Sequence, residues 1–115
     1  MKRSDNFKKL IKNYNKENIK FSKHAEIRLI QRKLDKDFVI QKLFDIDNLI
    51  SEEKQKDKST YKLVYESSSK YRLVIVVTLS KRFVVIITAY KTSKKVEKLI
   101  KKTGALYISK KLIYK

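Results

Sequence analysis

The chain has no cysteine, one glycine and one histidine in 115 residues. Without cysteine there is no disulfide framework and no thiolate metal site, a usage that fits a reducing cytosol. A lone His24 with scattered carboxylates does not make a zinc site. With Gly104 as the only glycine there is no glycine-rich phosphate loop, which excludes the common nucleotide-binding folds. Long apolar runs are also missing. The longest, Leu73 to Val77 and Phe83 to Ile87, are β-branched, separated by charge and too short to span a bilayer. The N-terminus, Met-Lys-Arg-Ser-Asp-Asn-Phe-Lys-Lys, lacks the apolar core of a signal peptide. A soluble, cytoplasmic protein without metal or cofactor is expected.

Acidic residues are scarce as well: 12 Asp and Glu face 30 Lys and Arg, leaving a net charge of +18. Such an imbalance calls for a polyanionic partner. Its distribution is uneven. Residues 35 to 66 hold eight acids against six lysines, so that span is near −2, whereas residues 1 to 34 sum to +8 and residues 67 to 115 to +12. Codon bias toward lysine would enrich the middle span too. If the flanks pack together, the protein has a basic face and a near-neutral back, the footprint expected for RNA or DNA binding. Because 42% of residues are hydrophobic and they cluster, the chain can bury one modest core despite being 37% charged. A single domain over residues 1–115 is expected.

Phe7, Leu10, Ile11 and Tyr14 follow helical spacing and predict an amphipathic helix over 5–17. Ser22 is an N-cap for a second helix, with Ile27, Ile30 and Leu34 inward. Asp35 caps a third, which ends near Asp47 and buries Phe38, Val39, Leu43 and Phe44. A period of two then predicts strands at 49–53, 60–66, 70–79 and 82–90, with a polar loop over 54–59. Both faces of the last two strands are mostly apolar, so helices on one side and a ligand groove or further cover on the other are expected. Residues 93–102 can form a basic helix with Val96, Leu99 and Ile100 inward, stopped by Gly104; the tail 105–115 alternates weakly. Helices first and strands later predict an α+β domain: N-terminal helices on a four-stranded antiparallel sheet, followed by a basic C-terminal helix and tail.

The one constellation suited to chemistry lies on the second helix. His24, Arg28 and Arg32 are spaced four apart and form one ridge, an imidazole beside two guanidiniums that stay charged at any ordinary pH. This arrangement suits a phosphate held next to a proton-transfer group.

These residues carry a resemblance. Ser22-x-His24-x3-Arg28-x3-Arg32, then the acid-capped stretch Leu34 to Val39, the strand Tyr71 to Val76, and Val85-Ile86-Ile87-Thr88-Ala89-Tyr90 together resemble the BrnT-like and related domains of the RelE/ParE toxin superfamily. The similarity covers about residues 21–91 and leaves the first helix and the extension 92–115 outside it. It implies a RelE-like fold and, for members that act as toxins, a compact metal-independent endoribonuclease neutralised by an antitoxin protein.

Cleavage by attack of the ribose 2′-hydroxyl needs a base, cations for the phosphorane and an acid for the leaving oxygen. His24 is the candidate base or acid, since its unperturbed range lies near neutrality. Arg28 and Arg32, with Arg72 if it faces the same groove, would clamp the phosphate; Tyr90 would donate a proton or stack a base. Each has a plainer alternative: a helix-boundary histidine, a solvated arginine face, a snorkelling Arg72, a core Tyr90. Lys23, Lys91, Lys94, Lys95, Lys98, Lys101 and Lys102 are expected to track a nucleic-acid backbone. Glu52 and Glu53 read as loop solvation. The competing functional reading is a non-catalytic basic nucleic-acid-binding protein of the same fold.

Overall fold

The computed structural model describes residues 3–55 and 59–94. Helix α1 (Arg3–Ile11) is followed by a 3₁₀ turn (Lys16–Asn18) and a three-residue strand, β1 (Ile19–Phe21). Helices α2 (Lys23–Gln31) and α3 (Lys36–Leu43) come next, then a 3₁₀ turn (Ile46–Asn48) and the meander β2 (Leu49–Lys54), β3 (Thr60–Glu66), β4 (Tyr71–Leu79) and β5 (Val84–Ser93). The result is an α+β fold in which the N-terminal helices pack on a five-stranded mixed sheet ordered β1-β5-β4-β3-β2.

The expected four-stranded antiparallel sheet is therefore corrected. The meander is antiparallel throughout, but β1 joins β5 in parallel, with Ile19, Lys20 and Phe21 opposite Val84, Val85 and Ile86. Parallel neighbours need a long connection, and here everything from α2 to β4 supplies it. The first helix is shorter than predicted because the chain turns after Ile11 and extends into β1; the Tyr14 hydroxyl instead donates to the Ser80 carbonyl at 2.6 Å. The third helix ends at Leu43 rather than near Asp47. The last strand continues to Ser93, where a helix was expected to begin. The predicted helix over 93–102 beyond Lys94, and the tail, lie outside the described residues.

Local signals set the helix starts. The Ser22 hydroxyl accepts the Ala25 N–H at 3.0 Å and the Asp35 carboxylate accepts the Phe38 N–H at 3.2 Å, each satisfying an amide that the first turn leaves open. Helix α2 closes with paired reverse bonds, Lys33 N–H to the Ile30 carbonyl at 3.1 Å and Leu34 N–H to the Leu29 carbonyl at 2.9 Å. This turn places Lys33 at φ 56°, a left-handed position usually left to glycine.

One core fills the space between helices and sheet. Phe7 and Ile11 from α1, Ala25 and Leu29 from α2, and Val39 and Leu43 from α3 meet Leu63, Tyr65, Leu73, Ile75, Val77, Val84, Ile86 and Ala89. Ile27 and Ile30, expected inward, face solvent instead: the inward stripe of α2 is Ala25 and Leu29, one turn apart. Phe38 and Phe44 are half-buried at the core margin. Glu52, expected to be loop solvation, is the buried acid of β2, and both its oxygens accept the Phe7 N–H, at 3.2 and 3.0 Å. No described helix is long and apolar enough to cross a membrane.

Candidate nucleic-acid interface

Strand β1 leads directly into α2, and the junction is fixed to the sheet by the Ser22 N–H, which donates to the Ile86 carbonyl at 3.0 Å. Helix α2 consequently runs beside β5, and side chains at four-residue spacing from His24 onward follow that edge. His24 is exposed in the first turn. One turn on, Arg28 donates from Nε to His24 Nε2 at 3.3 Å, and its Nη1 lies 3.5 Å from Gln31 Oε1. In this contact Nε2 of the imidazole is the acceptor.

Arg32 caps the end of α2, and the reverse turn directs it toward β5. Its Nη1 donates to Thr88 Oγ1 at 2.9 Å and to the Ala89 carbonyl at 3.0 Å, while the guanidinium lies over the Tyr90 ring, 5.6 Å from its centre. A bulge in β5 prepares this docking. Val76 pairs with Thr88 but Val77 with Ile86, so Ile87 is an extra residue just before the acceptor pair. Burial, and then the nearby charge of Arg28, hold the Arg32 guanidinium below arginine's ordinary range, with Tyr90 opposing. It stays charged at physiological pH. Two guanidiniums thus stand close enough to repel each other, and among the described residues no carboxylate pairs with either. An anion placed between them relieves that repulsion.

The structure brings four of the five expected site residues together: His24, Arg28, Arg32 and Tyr90. Arg72 stands beside an acid. It lies opposite Glu66 on β3 and Thr92 on β5, with Nε 3.6 Å from Glu66 Oε1. Lys94, expected to face nucleic acid, also pairs with Glu66. The Glu66 carboxyl is held below the usual carboxylate range, chiefly by the Lys94 hydrogen bond, with the charges of Lys94 and Arg72 adding to it. Lys42 completes this group, donating to the Glu66 carbonyl at 2.7 Å and lying 3.4 Å from Asp45 Oδ2.

Lys23 is exposed at the start of α2, and Lys91 is exposed with its ammonium 6.0 Å from the centre of the Phe38 ring. Lys95, Lys98, Lys101 and Lys102 lie outside the described residues. Thr88 is the site residue that sequence reasoning missed. Its signal was present, a hydroxyl two residues before Tyr90 in an apolar strand, but a strand threonine normally needs no partner. Among the described residues no group of His, Asp and Glu is arranged to hold a metal ion. No protein-family model matches this chain, and no curated relative and no solved structure matches it.

Proposed function

We propose that the chain binds the phosphate backbone of RNA along the α2–β5 edge and cuts it there without metal, as a RelE-like toxin held inactive by a small partner protein. The observation that carries this reading is the juxtaposition of two guanidiniums without acidic partners among the described residues and an imidazole bonded to one of them. Arg28 and Arg32 hold the scissile phosphate and stabilise the charge that builds on the phosphorane. His24 releases its contact with Arg28 and takes the 2′-hydroxyl proton through Nε2. The Tyr90 phenol, beneath Arg32, protonates the leaving 5′-oxygen or stacks a neighbouring base. A helix pair preceding an antiparallel meander is also the order that the RelE-like resemblance implies.

Incubation of the purified protein with RNA in EDTA tests the proposal. Wild type cleaves, and the His24→Ala, Arg28→Ala double variant loses about a hundredfold or more in rate, the sum of a lost proton-transfer group and a lost charge clamp. Equal rates in the two proteins overturn it.

A second reading, a non-catalytic nucleic-acid binder, is favoured by one observation: Arg32 is tied to Thr88, Ala89 and Tyr90 as a scaffold residue would be. It predicts salt-sensitive RNA or DNA binding with no cleavage in either protein.

A further inference from the structure

Ile27 and Ile30 stand out on the solvent side of α2, 55% and 78% exposed. With ~100° between successive helical residues, Ala25 and Leu29 each lie two positions from Ile27 and about 200° round, so Ile27 points directly away from the core. Ile30 follows one turn on. Single exposed apolar residues are ordinary, but here two β-branched side chains adjoin on one short helix of a lysine-surfaced protein.

Their surroundings give the patch its character. Lys23 and Gln31 lie one turn before and after Ile27, His24 and Arg28 border it on the β5 side, and Lys33 follows the helix end. The one acid of α2, Glu26, is neutralised by Lys36 at 2.7 Å. The patch therefore has an apolar centre and a cationic rim, which is the anatomy of a protein-docking surface.

A phosphate backbone would satisfy the rim but gain nothing from burying isoleucines. A second copy of this chain would bring cations against cations. The complementary object carries aliphatic side chains along one stripe and carboxylates beside it. We propose that the outer face of α2 docks an acidic amphipathic helix of a partner protein, and that the docked helix covers His24 and Arg28. Docking itself is independent of the proposed function; only its consequence, exclusion of nucleic acid from the α2–β5 edge, rests on that reading.

The probe is a synthetic helical peptide with leucines at i, i+3, i+4 and i+7 flanked by glutamates, followed by fluorescence anisotropy against the full chain. The control peptide keeps every glutamate and replaces the leucines with alanine. The leucine peptide binds, the control binds at least about tenfold more weakly, and the Ile27→Ala, Ile30→Ala variant loses about tenfold or more for the leucine peptide. Both isoleucines are exposed, so this variant keeps the wild-type melting temperature and its affinity for single-stranded RNA. The leucine peptide displaces that RNA from wild type. Absence of peptide binding, equal binding of the two peptides, or no loss in the variant overturns the docking surface. If wild type fails to bind RNA, the functional reading falls while the direct peptide titration still decides docking. Simultaneous binding of peptide and RNA overturns the exclusion.

Discussion

Two groups of cations in this protein look alike in sequence and are used in opposite ways. At the α2–β5 edge, Arg28 and Arg32 repel each other, and among the described residues neither has an acidic partner. At the other site, where the C-terminal end of α3 meets the ends of β3, β4 and β5, Lys42, Arg72 and Lys94 surround Glu66 and Asp45. The second group has its anions supplied by the chain; among the described residues the first does not. Net charge does not distinguish them, since both add to the same +18. What separates them is whether the fold brings a carboxylate within reach.

The sharpest way to break this contrast is to remove cations from each group and measure RNA binding. The Arg28→Ala, Arg32→Ala variant loses about a hundredfold in affinity for single-stranded RNA, and the slope of log affinity against log salt falls by roughly 1.4, about 0.7 for each phosphate no longer neutralised. Arg72→Ala changes affinity by less than about twofold and slightly lowers the melting temperature instead, because its removal takes one cation from beside Glu66. Equal losses of affinity in the two variants would erase the distinction.

Stability probes follow. The Tyr65 hydroxyl, beside Glu66 in sequence, donates to the Leu43 carbonyl at 2.8 Å in a buried setting. Tyr65→Phe leaves that carbonyl without its donor and costs about 1–2 kcal/mol in urea denaturation, with RNA affinity unchanged. Burial also pushes the Tyr65 phenol far above its ordinary range. The unfolded chain releases that proton near pH ~10 while the folded chain retains it, so wild type loses stability as pH rises above about 10. Tyr65→Phe lacks this part of the alkaline decline.

The smallest effect is at the acid end. Because the Glu66 carboxyl is held low by Lys94 and then by the charges around it, its contribution is fully present above the ordinary glutamate value of about 4.3. It fades as pH falls through the lower folded value. Melting curves of Glu66→Gln decline less steeply over that acid window than those of wild type, and identical curves would mean that the pairing adds nothing.

Sequence reasoning succeeded where the deciding interaction is local. Ser22 and Asp35 cap helices through bonds to amides three residues on, and the alternation of Thr60 to Glu66 marks β3 end to end. It failed where a distant partner decides. Three residues are too few to show a period, and β1 is a strand only because β5, more than sixty residues later, pairs with it. Glu52 was misplaced for a related reason. The shift in β2 register between Leu49 and Ser51 breaks the alternation, so Leu49 and Glu52 are both buried although three positions separate them. In α2 hydropathy itself misled, since the larger Ile27 and Ile30 face water while Ala25 lies inside, where a small side chain lets the helix approach the sheet. The His24, Arg28 and Arg32 spacing was readable from helical periodicity alone. The choice of Arg32 as the residue docked on β5, and of Arg72 as the partner of Glu66, required the tertiary register.

The parallel joint between Ile19–Phe21 and Val84–Ile86 also has a consequence for biosynthesis. As the chain leaves the ribosome, β1 waits, without a sheet neighbour on that side, for a strand translated more than sixty residues later, and such long-separation pairing slows folding. Arg32 has neither hydrogen-bond acceptor until Thr88 and Ala89 have emerged. A nascent or prematurely terminated product lacking β5 therefore carries the arginines without the surface that orients them, and the edge where Arg32 docks is complete only once β5 has been made.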